Sequence, residues 1–348
     1  MKIVFDCERM KYPFTGLFEY CHQLGLSLIK TKNNDDEISL YVRQKDQHNF
    51  DESTPFIDQN SLHKFIFPSI NKNIDLWHTT HQISSYLPSN KKLIKVLTVH
   101  DLNFLHEEKS DAKRRKQVKK HQKVIDKADH IIAISAFTKH DILKNLKVNK
   151  PITVIYNGAK VEKFPEFNQP KYRPEQKFLF SLGTVIPKKN FHTLPCLLED
   201  NDFELIIAGK EDGGYGDKIR EEAIRYGVQN RVHLIGPVSS EEKYWYYNNC
   251  SAFLFPSLAE GFGIPAIEAM NFGKPVFLSK LTSLPEIGGE LAYYFDSFEN
   301  GHMKKVFKEG LADYEKNQPA DAIIAHAQKF NWEKCAEAHW KLYHSLMM

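Results

Sequence analysis

The sequence predicts an α/β protein made of two Rossmann-like, doubly wound domains. Three observations carry that prediction. The chain has 348 residues, which at about 100–200 residues per domain is the length of two. Short, almost continuously apolar runs alternate with longer amphipathic stretches, as parallel strands covered by helices on both faces require. These runs fall into two sets, separated by a proline-rich stretch of no clear period.

In the first set the runs are KIVFD (2–6), EISLYV (37–42), KFIF (64–67), LWHTT (76–80), KVLTVHD (95–101), HIIAIS (130–135) and ITVIYN (152–157). In the second they are FLFSLG (178–183), FELIIAG (203–209), VHLIG (232–236), AFLFPS (252–257), PVFLSK (275–280) and AYYF (292–295). Helical patterns between many of them complete βαβ units. After the Asn157-Gly158 turn signal come Pro165, Pro170 and Pro174 among charged residues, the composition of a linker. The expected domains are therefore 1–165 and 172–330. The amphipathic segment 331–348 is expected to cap the second domain or to cross back to the first. No repeat at fixed period and no low-complexity tract interrupts this plan.

Composition narrows the function. Lys and Arg number 47 against 44 Asp and Glu, a formal charge of +3, which argues against a nucleic-acid-coating protein and against an acidic disordered one. Apolar residues at 42% and charged residues at 26% are ordinary for a globular chain. Cys7, Cys21, Cys196, Cys250 and Cys335 form no CxxC pair and read as reduced thiols. No apolar run approaches a membrane span, and KIVFD opens the chain without a signal-peptide pattern. A cytoplasmic protein is expected, with at most a peripheral membrane contact.

The densest chemistry lies in AEGFGIPAIEAMNFGKPV (259–276), between two apolar strands. Glu260 ends a strand-to-helix loop, Gly261 and Gly263 allow close backbone approach around Phe262, and Pro265 after Ile264 suits a first helical turn. Glu268 follows inside the helix. A helix start favours phosphate. With one carboxylate before it and one within it, the segment suits an elongated ligand with hydroxyls at both ends and phosphate between them, as in a nucleotide-sugar. A lone Gly-x-Gly turn is usually a plain connection; two glutamates, two glycines and a helix-start proline together argue otherwise.

The E-G-F-G-x-P-x-x-E-A-M pattern resembles the donor site of retaining GT-B glycosyltransferases of glycosyltransferase family 4. GTVIPKKN (183–190) is similar to that family's Gly-(Arg/Thr)-x-x-Pro-(Arg/Lys)-Lys-(Gly/Asn) segment, and TVHDL (98–102) to its Val-His-Asp segment. ADHIIAISAFTKHDI (128–142), VIYNGAK (154–160), TSLPEIGGELAYYF (282–295) and FNWEKCAEAHW (330–340) extend the likeness over nearly the whole chain. The variant with Thr184 looks most like bacterial polysaccharide mannosyltransferases.

The resemblance implies a GT-B fold whose two domains face a central cleft. The first would take the acceptor and, with the final helix crossing back, be discontinuous; the second would take the donor. Glu260, His100 and Lys189 would be the catalytic residues. Gly16, Gly183, Thr184, Lys188, Lys189, Gly261, Phe262, Gly263, Ile264 and Glu268 would be the donor-binding residues. Glu268 would hold the ribose hydroxyls, Glu260 the sugar, and Lys189 with Lys188 the departing diphosphate. His100, with Asp101 as support, would contact the transferred sugar. The Tyr12–Leu17 loop, where relatives often carry more glycines, would bring Gly16 and a helix start to the donor phosphate and acceptor. Thr184, where many relatives have Arg, leaves more of the charge to the lysines.

No metal and no cofactor is expected beyond a GDP- or UDP-linked sugar as substrate, with GDP-mannose first. The acceptor would be a glycan or lipid-linked polysaccharide. An epimerase or phosphorylase on the same fold, or a non-catalytic nucleotide-sugar-binding protein, is the alternative. Asp200-Asn201-Asp202 lies at the wrong end of its strand for chemistry, and GKEDGGYG (209–216) matches no phosphate-loop fingerprint, lining the nucleotide side at most. The segment 109–123 carries eight Lys or Arg against one Asp. It reads as a solvated helix face or as a patch for anionic lipid, and without aromatic interleaving it does not read as a nucleic-acid site.

Overall fold

The computed structural model describes all residues except 14, 66–73, 89 and 108. Two compact units emerge: Met1–Gly158 with Phe330–Met348, and Ala159–Lys329. Each is organised around one all-parallel sheet.

The first unit holds seven strands: β1 (Lys2–Asp6), β2 (Glu37–Val42), β3 (Phe56–Asp58), β4 (Leu76–Thr79), β5 (Ile94–Val99), β6 (His130–Ala133) and β7 (Ile152–Val154). Their order is β3-β2-β1-β4-β5-β6-β7. Helices α1 (Gly16–Thr31), α2 (Asp111–Ile125) and α3 (Ala136–Asn145) connect them. The central strands β1, β4 and β6 are buried along nearly their whole length, which is why they read as continuous apolar runs. Edge strand β7 is only half-buried. Side-chain caps fix two helix starts: Thr15 Oγ1 accepts from Phe18 N–H at 3.2 Å, and Ser135 Oγ from Thr138 N–H at 3.0 Å.

The second unit holds β8 (Phe178–Leu182), β9 (Glu204–Ala208), β10 (Val232–Gly236), β11 (Ala252–Phe255), β12 (Val276–Ser279) and β13 (Tyr293–Phe295), in the order β10-β9-β8-β11-β12-β13. Its helices are α4 (Tyr215–Arg225), α5 (Ser240–Asn249), α6 (Ile264–Met270), α7 (Leu284–Gly288), α8 (Asn300–Asn317) and α9 (Ala320–Ala327). A last helix, α10 (Trp332–Ser345), belongs to the first unit and packs on α1.

Three local expectations are corrected. KFIF is not a strand where it is described: Lys64 ends a 3₁₀ turn, Phe65 is 87% exposed, and 66–67 lie outside the described residues. Strand β3 was not foreseen, because three residues at a sheet edge write no pattern. Residues 159–165, assigned to the first domain by sequence, sit with the second unit. The segment that follows has no period because side chains hold it. Tyr172 donates its hydroxyl to Glu204 Oε2 at 2.6 Å, the Tyr172 carbonyl accepts from Tyr246 OH at 2.6 Å, and Lys171 N–H donates to Glu242 Oε1 at 2.8 Å.

Candidate functional site

Open parallel sheets bind ligands beyond the carboxyl ends of their strands, where the strand order reverses. In the second unit that reversal lies at β8, between β9 and β11. The chain leaving β8 is Gly183–Asn190, and the chain leaving β11 is Pro256–Gly263. Strands β8 and β11 pair in parallel, Ala252 beside Leu179 and Phe253 beside Phe180. Two segments 70 residues apart in sequence are thereby set side by side, and Leu258 N–H donates to the Lys188 carbonyl at 2.8 Å.

Between them Lys189 Nζ donates to Glu260 Oε1 at 2.6 Å, each side chain 13% exposed. Ser257 Oγ donates to the same oxygen at 2.5 Å. The Lys189 ammonium lies 4.6 Å from the centre of the Phe255 ring. Burial pushes the Glu260 carboxyl upward, but the charges of Lys189 and Lys188 and the Lys189 and Ser257 hydrogen bonds outweigh it, so the group sits below its ordinary range and is ionised. Lys188 has no ion-pair partner among the described residues.

Backbone shape explains several residue choices. Gly183 sits at φ +152°, and a Cβ there would meet Lys189 Cε at 3.1 Å. Asn190 is left-handed at φ 59°, a conformation that Gly and Asn tolerate best, which accounts for the Gly/Asn alternation expected at this position. Gly263 has φ +117° and caps α6, with Leu284 Cδ2 2.8 Å from where a Cβ would stand. Pro265 occupies the first turn of α6, after Ile264. Gly261, Phe262 and Gly263 are all buried.

Sequence reasoning missed the residues that shape this loop. Glu260 N–H donates to Thr282 Oγ1 at 3.0 Å, and Thr282 is itself left-handed at φ 55°. Ser283 Oγ donates to the carbonyls of Glu260 and Phe262, at 3.0 and 2.8 Å. A strained non-glycine residue beside a buried carboxylate is the signature of a site held against its backbone preference, and only the backbone reveals it.

Glu268 is 6% exposed in α6, and its side-chain hydrogen bonds go to residues other than Lys189 and Glu260. Its Oε1 accepts from Lys243 Nζ at 2.7 Å and its Oε2 from Tyr247 OH at 3.0 Å. Burial works against the Lys243 ammonium, and the adjoining Glu268 carboxylate more than compensates, holding it well above the usual lysine range. Both partners come from α5, in the aromatic run KYWYY (243–247). Thr184 is exposed.

In the first unit the reversal lies at β1, between β2 and β4. His100, just past β5, is 6% exposed. Its Nε2–H donates to the Thr80 carbonyl at 2.7 Å, and its N–H to Gln82 Oε1 at 3.1 Å. The Tyr20 ring packs edge-on, centroids 4.6 Å apart. Burial lowers His100 to about 4, with the Thr80 hydrogen bond opposing and Arg9 adding to the shift, so the imidazole is neutral at pH 7. Asp101 Oδ1 accepts from Asn103 N–H at 3.0 Å and so caps the next turn; Thr80 and Gln82 orient His100. Gly16 opens α1, where a Cβ would meet no described atom within 4 Å. Phe14, in the same loop, lies outside the described residues.

Asp200 pairs with Lys304 at 2.8 Å, as a surface carboxylate does. Among the described residues no group of three or more His, Cys, Asp or Glu side chains is placed to hold a metal, and no helix is long and apolar enough to cross a membrane.

Comparison with known proteins finds glycosyltransferases. Residues 44–163 match the family described as Glycosyltransferase Family 4, and residues 162–329 match Glycosyl transferases group 1. O-antigen chain mannosyltransferase B of Escherichia coli is 25% identical, over 96% of this chain and 97% of its own length. The serotype-specific mannosyltransferase WbdA of Escherichia coli is 27% identical over 61% of this chain, a match that spans 28% of that protein. Among solved structures, sucrose-phosphate synthase from Thermosynechococcus elongatus aligns with TM-score 0.78 and 18% identity, over 100% of this chain and 99% of its own. Anabaena HepE in complex with UDP-glucose aligns with TM-score 0.75 and 18% identity, over 99% of this chain and 100% of its own. The fold is GT-B.

Proposed function

We propose that this chain, which belongs to the glycosyltransferases that carry a Family 4 domain followed by a group 1 domain, moves mannose from GDP-mannose to a glycan or lipid-linked acceptor of a surface polysaccharide. The observation that carries the site assignment is the Lys189–Glu260 pair, 2.6 Å apart at the carboxyl ends of β8 and β11. The choice of mannose is supported by the full-length likeness to an O-antigen mannosyltransferase and by the GTVIPKKN segment.

In this reading Glu268 receives the ribose hydroxyls. Gly183, Thr184 and the Gly261–Ile264 loop border the diphosphate and sugar. Glu260, kept ionised, accepts from the hydroxyls of the sugar. His100 presents a neutral imidazole for hydroxyl recognition. As the bond from C1 to the diphosphate oxygen breaks, a bond from C1 to the acceptor hydroxyl forms on the same face of the sugar. The hydroxyl proton passes to the departing diphosphate, and anomeric configuration is retained. Lys189 and Lys188 meet the negative charge that develops on the leaving group, a role worth most in a water-poor site.

Calorimetry with GDP and UDP, followed by turnover with GDP-mannose, UDP-glucose and UDP-galactose, tests the assignment. GDP binding and mannose transfer with retained configuration are expected. Binding of UDP alone overturns mannose as the donor, and an inverted product overturns the mechanism.

The acceptor side carries a second expectation. Lys113, Arg115, Lys116, Lys119, Lys120 and Lys123 are exposed on α2 and have no ion-pair partner among the described residues. Each basic residue near an anionic bilayer contributes about 1 kcal/mol. The chain is expected to sediment with phosphatidylglycerol vesicles, to release in high salt, and to ignore phosphatidylcholine vesicles. Charge reversal at Lys116, Lys119 and Lys120 that leaves sedimentation intact would refute a membrane role for this face.

A further inference from the structure

We propose that Lys243 is a positioning residue for the donor ribose, holding the Glu268 carboxylate in the orientation that receives two vicinal hydroxyls. The inference rests on the assignment of Glu268 to the ribose and adds a residue that none of the sequence motifs contains.

The argument is one of counting acceptor sites. An ionised carboxylate offers about four lone-pair directions, two on each oxygen. Lys243 Nζ takes one on Oε1, at 2.7 Å, and Tyr247 OH takes one on Oε2, at 3.0 Å. One direction remains on each oxygen, and two adjacent acceptors are what the 2′- and 3′-hydroxyls of a ribose require. The carboxylate is 6% exposed, so water does little to orient it and the two donors set its plane.

Lys243 is itself restrained. Its ammonium lies 4.5 Å from the centre of the Tyr244 ring. That ring stacks on Phe164, centroids 5.8 Å apart, and its hydroxyl donates to the Lys160 carbonyl at 2.7 Å. A long, flexible side chain is thus ordered before any ligand arrives, and ordering cost already met in the free protein is not charged to binding. A buried ion pair retained only for stability has no such need, since apolar residues of similar volume commonly serve as well. Glu268 lies inside α6 whereas Glu260 precedes it, and the two side chains share no hydrogen-bond partner, so the two carboxylates are oriented by different residues.

Calorimetry on the full chain compares GDP with 2′,3′-dideoxy-GDP, and UDP with 2′,3′-dideoxy-UDP, for the natural protein, Lys243→Met and Lys243→Arg. Hydrogen bonds to a charged group predict that the natural protein prefers the ribose form by about tenfold or more. In Lys243→Met that preference should fall to within about twofold, with affinity for the dideoxy form unchanged, and Lys243→Arg should restore most of it. Should the Met variant melt below the assay temperature, Lys243→Leu takes its place. A preference that survives in the Met or Leu variant, or equal weakening of both forms, overturns the role of Lys243 and leaves Glu268 on the ribose. A natural protein that does not distinguish the two forms, or binds neither nucleotide, overturns the Glu268 assignment itself.

Discussion

Replacing Lys189 by Met is expected to lower kcat by about 10²–10³-fold while changing donor affinity far less. The asymmetry follows from when the charge is needed. In the resting protein the Lys189 ammonium is already bonded to Glu260 at 2.6 Å, so ground-state binding of the donor gains little from it. As the glycosidic bond breaks, charge accumulates on the diphosphate, and an ammonium with two further donors stabilises it there. The same substitution leaves Glu260 with Ser257 as its hydrogen-bonding side chain. With Lys189 gone, the largest opposing influence on a buried carboxyl is removed and its proton affinity rises. The sign of the pH effect follows. In the natural protein the Glu260 carboxyl lies below its unfolded value, so its contribution to stability is present above that value and is lost as pH falls through the folded one. In the Met variant the acid limb of kcat should move to higher pH, and the loss of stability on acidification that Glu260 contributes should shrink, because its folded value moves toward the unfolded one. Lys189→Arg should keep both limbs near their natural positions. Steady-state kinetics across pH, with thermal melting of each variant, reads all of this. An unchanged kcat removes Lys189 from the chemistry.

How much of this was written in the sequence depends on how local each feature is. The buried strands were legible because burial on both faces leaves an unbroken apolar run; β11 (AFLF) and β12 (VFLS) need no other evidence. Strand ends were less so. ITVIYN stops at Val154, because Tyr156 turns outward and is 41% exposed. The Gly183–Asn190 and Glu260–Glu268 segments were legible because each supplies its chemistry within a few residues. That they meet is a consequence of sheet order, which periodicity does not encode. Lys243 was hidden for the opposite reason: its partner lies 25 residues on, in another helix, and its neighbours Tyr244, Trp245, Tyr246 and Tyr247 look like core. Thr282 was hidden because nothing in TSLPE announces a left-handed threonine.

Replacing Tyr343 by Ala is expected to destabilise the first unit by about 3–5 kcal/mol, the range for deleting a buried aromatic side chain. Tyr343 lies on α10, is fully buried, and its hydroxyl bonds His78 Nδ1 at 2.6 Å. His78 Nε2 bonds Thr98 Oγ1 at 2.7 Å, and Thr98 Oγ1 bonds Tyr20 OH at 3.0 Å. Burial holds the His78 imidazole well below its ordinary range, so it is neutral and its two nitrogens act as one donor and one acceptor. A neutral ring of that kind links Tyr343 to Thr98 without any charge to desolvate. Trp340 adds a second tie, donating Nε1–H to the Leu28 carbonyl of α1 at 3.1 Å. The chain of contacts ends at Tyr20, whose ring packs edge-on against His100. A helix formed by the last residues of the chain therefore supports, through side chains of β4, β5 and α1, the face on which His100 rests. Tyr343→Phe should cost less, about 1–3 kcal/mol, because it keeps the volume and strips one buried hydrogen bond. Hydrogen exchange resolves the outcome by segment. Amides of α1 and α10 should lose protection together in Tyr343→Ala, while those of β8 and β11 in the second unit keep theirs. Equal loss in both units would mean that the two unfold as one, and unchanged exchange in α1 would mean that α10 does not support that face.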